Sequence, residues 1–117
     1  MKLIIAIIRP EKLDMVQKGL NSGQATLLSV SQVVGYGQEP GYKEIYRGAV
    51  VHTRPSKLRL EIAVDDSGVD DAVNAIVGSA SSGRSGRVGD GEIFVMQMDE
   101  CIHICQGERM PATAAAC

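Results

Sequence analysis

A strand, a helix and a second strand, in that order, can be read twice along this chain of 117 residues. Leu3 to Ile8 is continuously apolar and rich in isoleucine, the pattern of a strand paired or covered on both sides. Arg9-Pro10 stops it, the proline suits a first helical turn, and Leu13, Val16 and Leu20 recur near the helical period before Asn21 to Gly23 end the helix. Thr26 to Val34 then reads as a long strand. In the second unit Leu58 to Val64 alternates, Asp65-Asp66-Ser67-Gly68 reads as a cap, and Val69, Ala72, Val73, Ile76 and Val77 make a helical stripe, with Glu92 to Met98 as the closing strand. Two such units with short connections predict an α+β, ferredoxin-like split βαβ arrangement, βαββαβ, in a single domain over residues 1–117.

In that fold both helices cover one face of the sheet and leave the other apolar and open. At this chain length the open face finds cover most easily in further copies of the chain, so a homo-oligomer is expected. A formal charge of −2 provides no general attraction for nucleic acid or anionic membrane. The opening apolar run lacks a basic leader and a small-residue cleavage site, so it reads as a buried strand, with no membrane insertion and a cytoplasmic location expected. Between Gly37 and Pro55, glycines and prolines recur, and the segment reads as a mobile loop.

The strongest chemical signal is Gly83-Arg84-Ser85-Gly86-Arg87-Val88-Gly89-Asp90-Gly91, which runs straight into an apolar strand. Glycines remove the Cβ atoms that keep a ligand off the backbone, so successive N–H groups can turn toward one anion while Arg84 and Arg87 add full charge. This is how a phosphate cradle is made.

Together with Lys2 to Lys12, Gly35-Tyr36-Gly37 and Glu44-Ile45-Tyr46-Arg47-Gly48-Ala49, the stretch from Gly86 to Val95 resembles the PII family of signal-transduction proteins along nearly the whole chain. The resemblance implies a non-catalytic homotrimer that binds adenine nucleotide between subunits and signals to a partner protein, a transporter, an enzyme or a carboxysome-related protein, through residues 37–55. It places adenine against Ile7, Ser29, Gly35, Tyr36, Gly37, Ile62, Ala63 and Val64, the phosphates against Arg84, Gly86, Arg87, Val88, Gly89, Asp90, Gly91 and His103, and Gln38 among the nucleotide-binding residues.

Several positions depart from the family pattern. Its arginine and 2-oxoglutarate-binding glutamine fall on Gln38 and Glu39, and an acid repels a dicarboxylate. Its modified tyrosine and serine fall on Val51 and Ala49, which carry no hydroxyl. A lysine that follows Gly-Asp-Gly falls on Glu92, and two arginines fall on His103 and Cys105. Each charge-assisted phosphate contact is worth roughly 1.5–3 kcal/mol, so ADP or AMP is expected to bind better than ATP. An altered loop with a weakened triphosphate site is similar to PII-like proteins of carboxysomes and inorganic-carbon transport, and this likeness implies bicarbonate as a second ligand, with Arg47 and Arg59 as its donors.

Cys101, His103 and Cys105 alternate along what reads as a strand, and Cys117 ends the chain. Without a fourth clear ligand a zinc site is incomplete, so no metal is assigned; small-residue packing and a redox bridge between Cys105 and Cys117 in a flexible tail over residues 106–117 are the other readings. The rival class is a trimeric metal-responsive binding module. No nucleophile, base and orienting acid recur at catalytic spacing, and the chain does not read as an enzyme.

Overall fold

The structure, a computed structural model, describes residues 1–21, 25–35, 55–83, 85–105 and 107, with the backbone alone of residues 42–46, 49–53 and 108–109. In chain order the elements are β1 (Lys2–Ile8), α1 (Leu13–Leu20), β2 (Ala25–Val34), β3 (Tyr42–Tyr46), β4 (Ala49–Thr53), β5 (Ser56–Val64), α2 (Val69–Ala80), β6 (Gly91–Gln97), β7 (Ile102–His103) and β8 (Glu108–Arg109). Four strands form one sheet in the order β2-β5-β1-β6, with every neighbouring pair antiparallel. The doubled strand-helix-strand reading is therefore the ferredoxin-like topology.

Alternation along the strands decides the core. Ile4, Ala6 and Ile8 of β1 pair with Ile62, Leu60 and Leu58 of β5, and all six are buried with Val16 and Leu20 of α1 and Ala72, Ile76 and Ala80 of α2. Of the stripe read from the sequence, Val69 and Val73 pack against this cluster, whereas Val77 faces outward at 51 % exposure. On the opposite sheet face Ile5 pairs with Phe94 and Leu3 with Met96, and Phe94 and Met96 are 50 % and 43 % exposed. The open apolar face is thus present as expected, since period-2 alternation puts these residues away from the helices.

Three local readings are corrected. Residues 42–53, taken as part of a mobile loop, contain a hairpin in which Tyr42 pairs with Thr53 and Tyr46 with Ala49; aromatic and β-branched residues outweigh the flanking glycines and prolines there. Neither helix start carries a side-chain cap; each opens with a 3-10 turn, Pro10–Lys12 and Asp66–Gly68, and the Asp66 carboxylate instead accepts from the Met1 ammonium at 2.6 Å. That contact lowers the Asp66 pKa. Near the end, only Ile102–His103 is strand, paired with Glu108–Arg109, so Cys105 lies in the intervening turn and does not share a strand face with Cys101 and His103.

Gly91 starts β6 where β6 meets β1. At φ 119°, a Cβ added to it would stand 1.7 Å from the Ile7 carbonyl oxygen, so its lack of a side chain serves strand approach. Gly91→Ala is expected to destabilise the protein by more than about 4 kcal/mol or to prevent folding, as measured by urea denaturation. A loss below about 1 kcal/mol would contradict this account of the junction.

Candidate functional site

The glycine-rich loop joins α2 to β6, and its centre is a carboxylate. Asp90 Oδ2 accepts from the backbone N–H groups of Ser82 at 2.9 Å and Arg87 at 2.7 Å, while Oδ1 accepts from Arg9 Nε at 3.1 Å. Arg9 Nη2 also donates to the Val88 carbonyl at 2.9 Å, and Lys57 Nζ donates to the Gly89 carbonyl. Both cations are buried, Arg9 at 7 % and Lys57 at 5 % exposure. Positive φ values of 76° at Gly86 and 93° at Gly89 let the chain curl around the carboxylate. Burial alone would raise the Asp90 pKa and is the largest single influence, but hydrogen bonds from the Ser82 amide and hydroxyl, the Arg87 amide and Arg9 together hold the carboxyl well below the usual range.

Arg9 and Lys57 were not among the residues read as functional. An arginine closing a wholly apolar strand ahead of a proline, with no solvent face to point to, was the available signal. Lys57 runs from β5 past Gly35, whose added Cβ would stand 2.9 Å from Lys57 Cγ, to the glycine-rich loop. Gly35 in turn donates its N–H to the Pro55 carbonyl at 3.2 Å. One lysine therefore ties the segment bearing the β3–β4 hairpin to the glycine-rich loop.

The expected nucleotide residues fall into two groups. Ile7, Gly35 and Gly86 to Gly91 gather at one end of the sheet, with Ile7 opposite Glu92 and Ile8 opposite Gly91. Val64 and Ala63 pair with Lys2 and Leu3 at the other end, so Val64 stands six register positions from Gly91, roughly 20 Å along the strands. Ile62, Ala63 and Val64 are buried, which limits them to backbone contacts with any ligand. Beside them the β2–β5 ladder breaks register between Leu27 and Ser29, a bulge that loosens backbone pairing near Ile62. A cavity of about 190 Å³ under the loop is lined by Ile7, Asp90 and Gly91 from the expected set, but its walls are otherwise mostly apolar residues such as Ile8, Ile76 and Ile93.

Arg87 and Val88 are exposed at the loop surface and His103 is half-buried on β7. Arg59 donates to Glu61 at 2.8 Å on the open sheet face, so its charge is already matched. Tyr36, Gly37, Gln38, Arg47, Arg84 and Cys117 lie outside the described residues. Cys105 is disulfide-bonded and Cys101 is a free thiol. Among the described residues no three His, Cys, Asp or Glu side chains converge to hold a metal. No described helix is long and apolar enough to cross a membrane.

The family model described as "Nitrogen regulatory protein P-II" matches residues 1–108. The chain belongs to the PII family. It is 46 % identical over 110 residues to the nitrogen regulatory protein P-II of Rhizobium etli, covering 92 % of this chain and 95 % of that protein. With nitrogen regulatory protein P-II of Rhodobacter capsulatus the identity is 44 % over the same shares, and with nitrogen regulatory protein GlnK1 of Methanosarcina mazei it is 41 % over 95 % of each chain. PII proteins are trimeric, non-catalytic signal-transduction regulators that bind adenine nucleotides and act on partner enzymes or transporters.

The Asp90 contacts make a pH prediction. The carboxyl titrates lower in the folded chain than at its unfolded value of about 3.9, so its stabilisation is fully present above that value and is lost as pH falls toward the folded one. Asp90→Asn is expected to lose about 2 kcal/mol at pH 7 by denaturant titration, with the gap to wild type narrowing only below about pH 4. A gap that closes between pH 7 and pH 5 would contradict the assignment.

Proposed function

We propose that this PII protein senses adenylate status: a trimer that holds ADP or AMP in preference to ATP between adjoining subunits, with bicarbonate as a second ligand, and reports inorganic-carbon supply to a transporter, an enzyme or a carboxysome-related partner. The observation that carries this reading is the separation of the expected contacts to opposite ends of one chain's sheet. Ile7 and the Asp90-centred loop of one subunit then form half of a site, and Ser29 with the backbone of Ile62 to Val64 in a neighbour forms the other. The open face around Phe94 and Met96 is the surface that brings such copies together.

Phosphate number follows from charge. Arg9 and Lys57 are turned inward to loop carbonyls, Glu92 is exposed beside the loop opposite Ile7, and Cys105, where the family carries an arginine, is neutral. Backbone amides with Arg87 and Arg84 remain for one or two phosphates, while a γ-phosphate meets a carboxylate. For bicarbonate, Arg59 would exchange Glu61 for the ligand, with Arg47 as the second donor. Cys105 is a candidate for redox control of the site together with Cys117. The curated names favour a second reading, a nitrogen regulator of a transporter or enzyme. Glu39 opposes it, because an acid at the expected 2-oxoglutarate position repels that ligand.

Calorimetry separates these. ADP and AMP are expected to bind at least about tenfold more tightly than ATP, the equivalent of one lost charge-assisted contact. Bicarbonate should tighten ADP binding, and 2-oxoglutarate with ATP and magnesium should give no heat. ATP as the tightest ligand, tightened further by 2-oxoglutarate, would overturn the carbon-linked reading in favour of the nitrogen one.

A further inference from the structure

We propose that Arg9, buried at the end of β1, is a positioning residue for anion binding: its hold on the Val88 carbonyl aims the Gly89 N–H out of the loop at a ligand phosphate. The inference rests on the adenine-nucleotide reading above and assigns a task to a residue that does not itself reach the ligand.

The argument is one of peptide geometry. No peptide bond in the described chain is cis, and across a trans peptide the C=O and N–H point in opposite directions. Arg9 Nη2 lies 2.9 Å from the Val88 oxygen, and Arg9 is 7 % exposed, so this carbonyl is directed toward the protein interior. The Gly89 N–H, on the other side of the same peptide plane, is therefore directed outward. Gly89 itself takes φ 93°, which a residue with a Cβ rarely adopts, so the plane can turn this way only with glycine at position 89.

Several neighbouring groups of the turn are held within the loop, so the orientation of the Val88–Gly89 peptide is set against a fixed frame. The N–H groups of Ser82 and Arg87 go to Asp90 Oδ2, and the Asp90 N–H goes to the Arg87 carbonyl at 3.1 Å. Lys57 holds the next carbonyl, that of Gly89. Arg9 bridges two neighbours at once, through Nε to Asp90 and through Nη2 to Val88, a fork that a single-headed side chain does not reproduce. Without it the peptide between Val88 and Gly89 has no fixed plane, and the donor must be oriented when ligand binds, at the cost of affinity.

The test compares ligands with and without phosphate. ADP and adenosine are titrated into wild type and Arg9→Met, and the Gly89 amide of the wild type is followed by NMR during titration with ADP and with inorganic pyrophosphate. ADP is expected to weaken about tenfold or more in the variant and adenosine less than about twofold, the difference reading the phosphate contact alone. In the wild type the Gly89 amide proton should move downfield with both phosphorylated ligands. Equal weakening of ADP and adenosine, or an unshifted Gly89 amide at saturation, would overturn the role. If Arg9→Met does not fold, the wild-type Gly89 resonance decides alone. If wild type binds no adenine nucleotide the sensor reading fails, while the pyrophosphate response of Gly89 still upholds or overturns the aim given to that amide.

Discussion

Two buried cations and one half-buried carboxylate hold the glycine-rich turn in place. Removing an arginine and a lysine from water is costly unless every donor finds an acceptor, and here the acceptors are Asp90 and the carbonyls of Val88 and Gly89. The loop is thus required by the charges beneath it as much as the charges are required by the loop. A segment carrying glycines at 83, 86, 89 and 91, which has more backbone freedom to lose than any other composition, is given one shape by contacts to β1 and β5.

That arrangement links the loop to the rest of the fold. Because β6 follows the loop directly and Gly91 lets it lie against the Ile7 carbonyl, the position of the loop is set by the same sheet that forms the core. Lys57 carries the link onward, passing Gly35 on its way to Gly89, at the start of the segment that bears the β3–β4 hairpin. On the proposed reading, a ligand that binds more tightly when the loop carbonyls are held inward biases Lys57, and through it the hairpin. Differential affinity is the only currency such a switch can use. On the proposed reading, the separation of Ile7 and Val64 to opposite sheet ends makes the complete site a property of the assembly.

Much of this was legible in the residues. Ile4, Ala6 and Ile8 alternate with Leu3, Ile5 and Ile7 in a run too apolar for an exposed strand, and Val16 and Leu20 fall at helical spacing, so both layers of the core were readable from period alone. The loop between α2 and β6 was readable because four glycines fall between a helical stripe and an apolar strand. Arg9 was not, since its partner lies 81 residues away and only the pairing of β1 with β6 brings them together. The hairpin at 42–53 was missed because glycine and proline at its flanks were given more weight than the tyrosines and valines within it, a case of local breakers bounding an element without abolishing it. At Gly91 the structure adds a packing reason for glycine, the nearness of the Ile7 oxygen, which spacing alone does not reveal.

The central claim is that the glycine-rich loop is already shaped before any ligand arrives, by the carboxylate at its heart. Amide hydrogen exchange of ligand-free protein, read at Ser82 and Arg87, tests it most directly, because those two N–H groups are the ones Asp90 holds. The account predicts that both exchange far more slowly than the same residues in an unstructured chain. Exchange at unstructured rates without nucleotide, with protection appearing only when nucleotide is added, would contradict it.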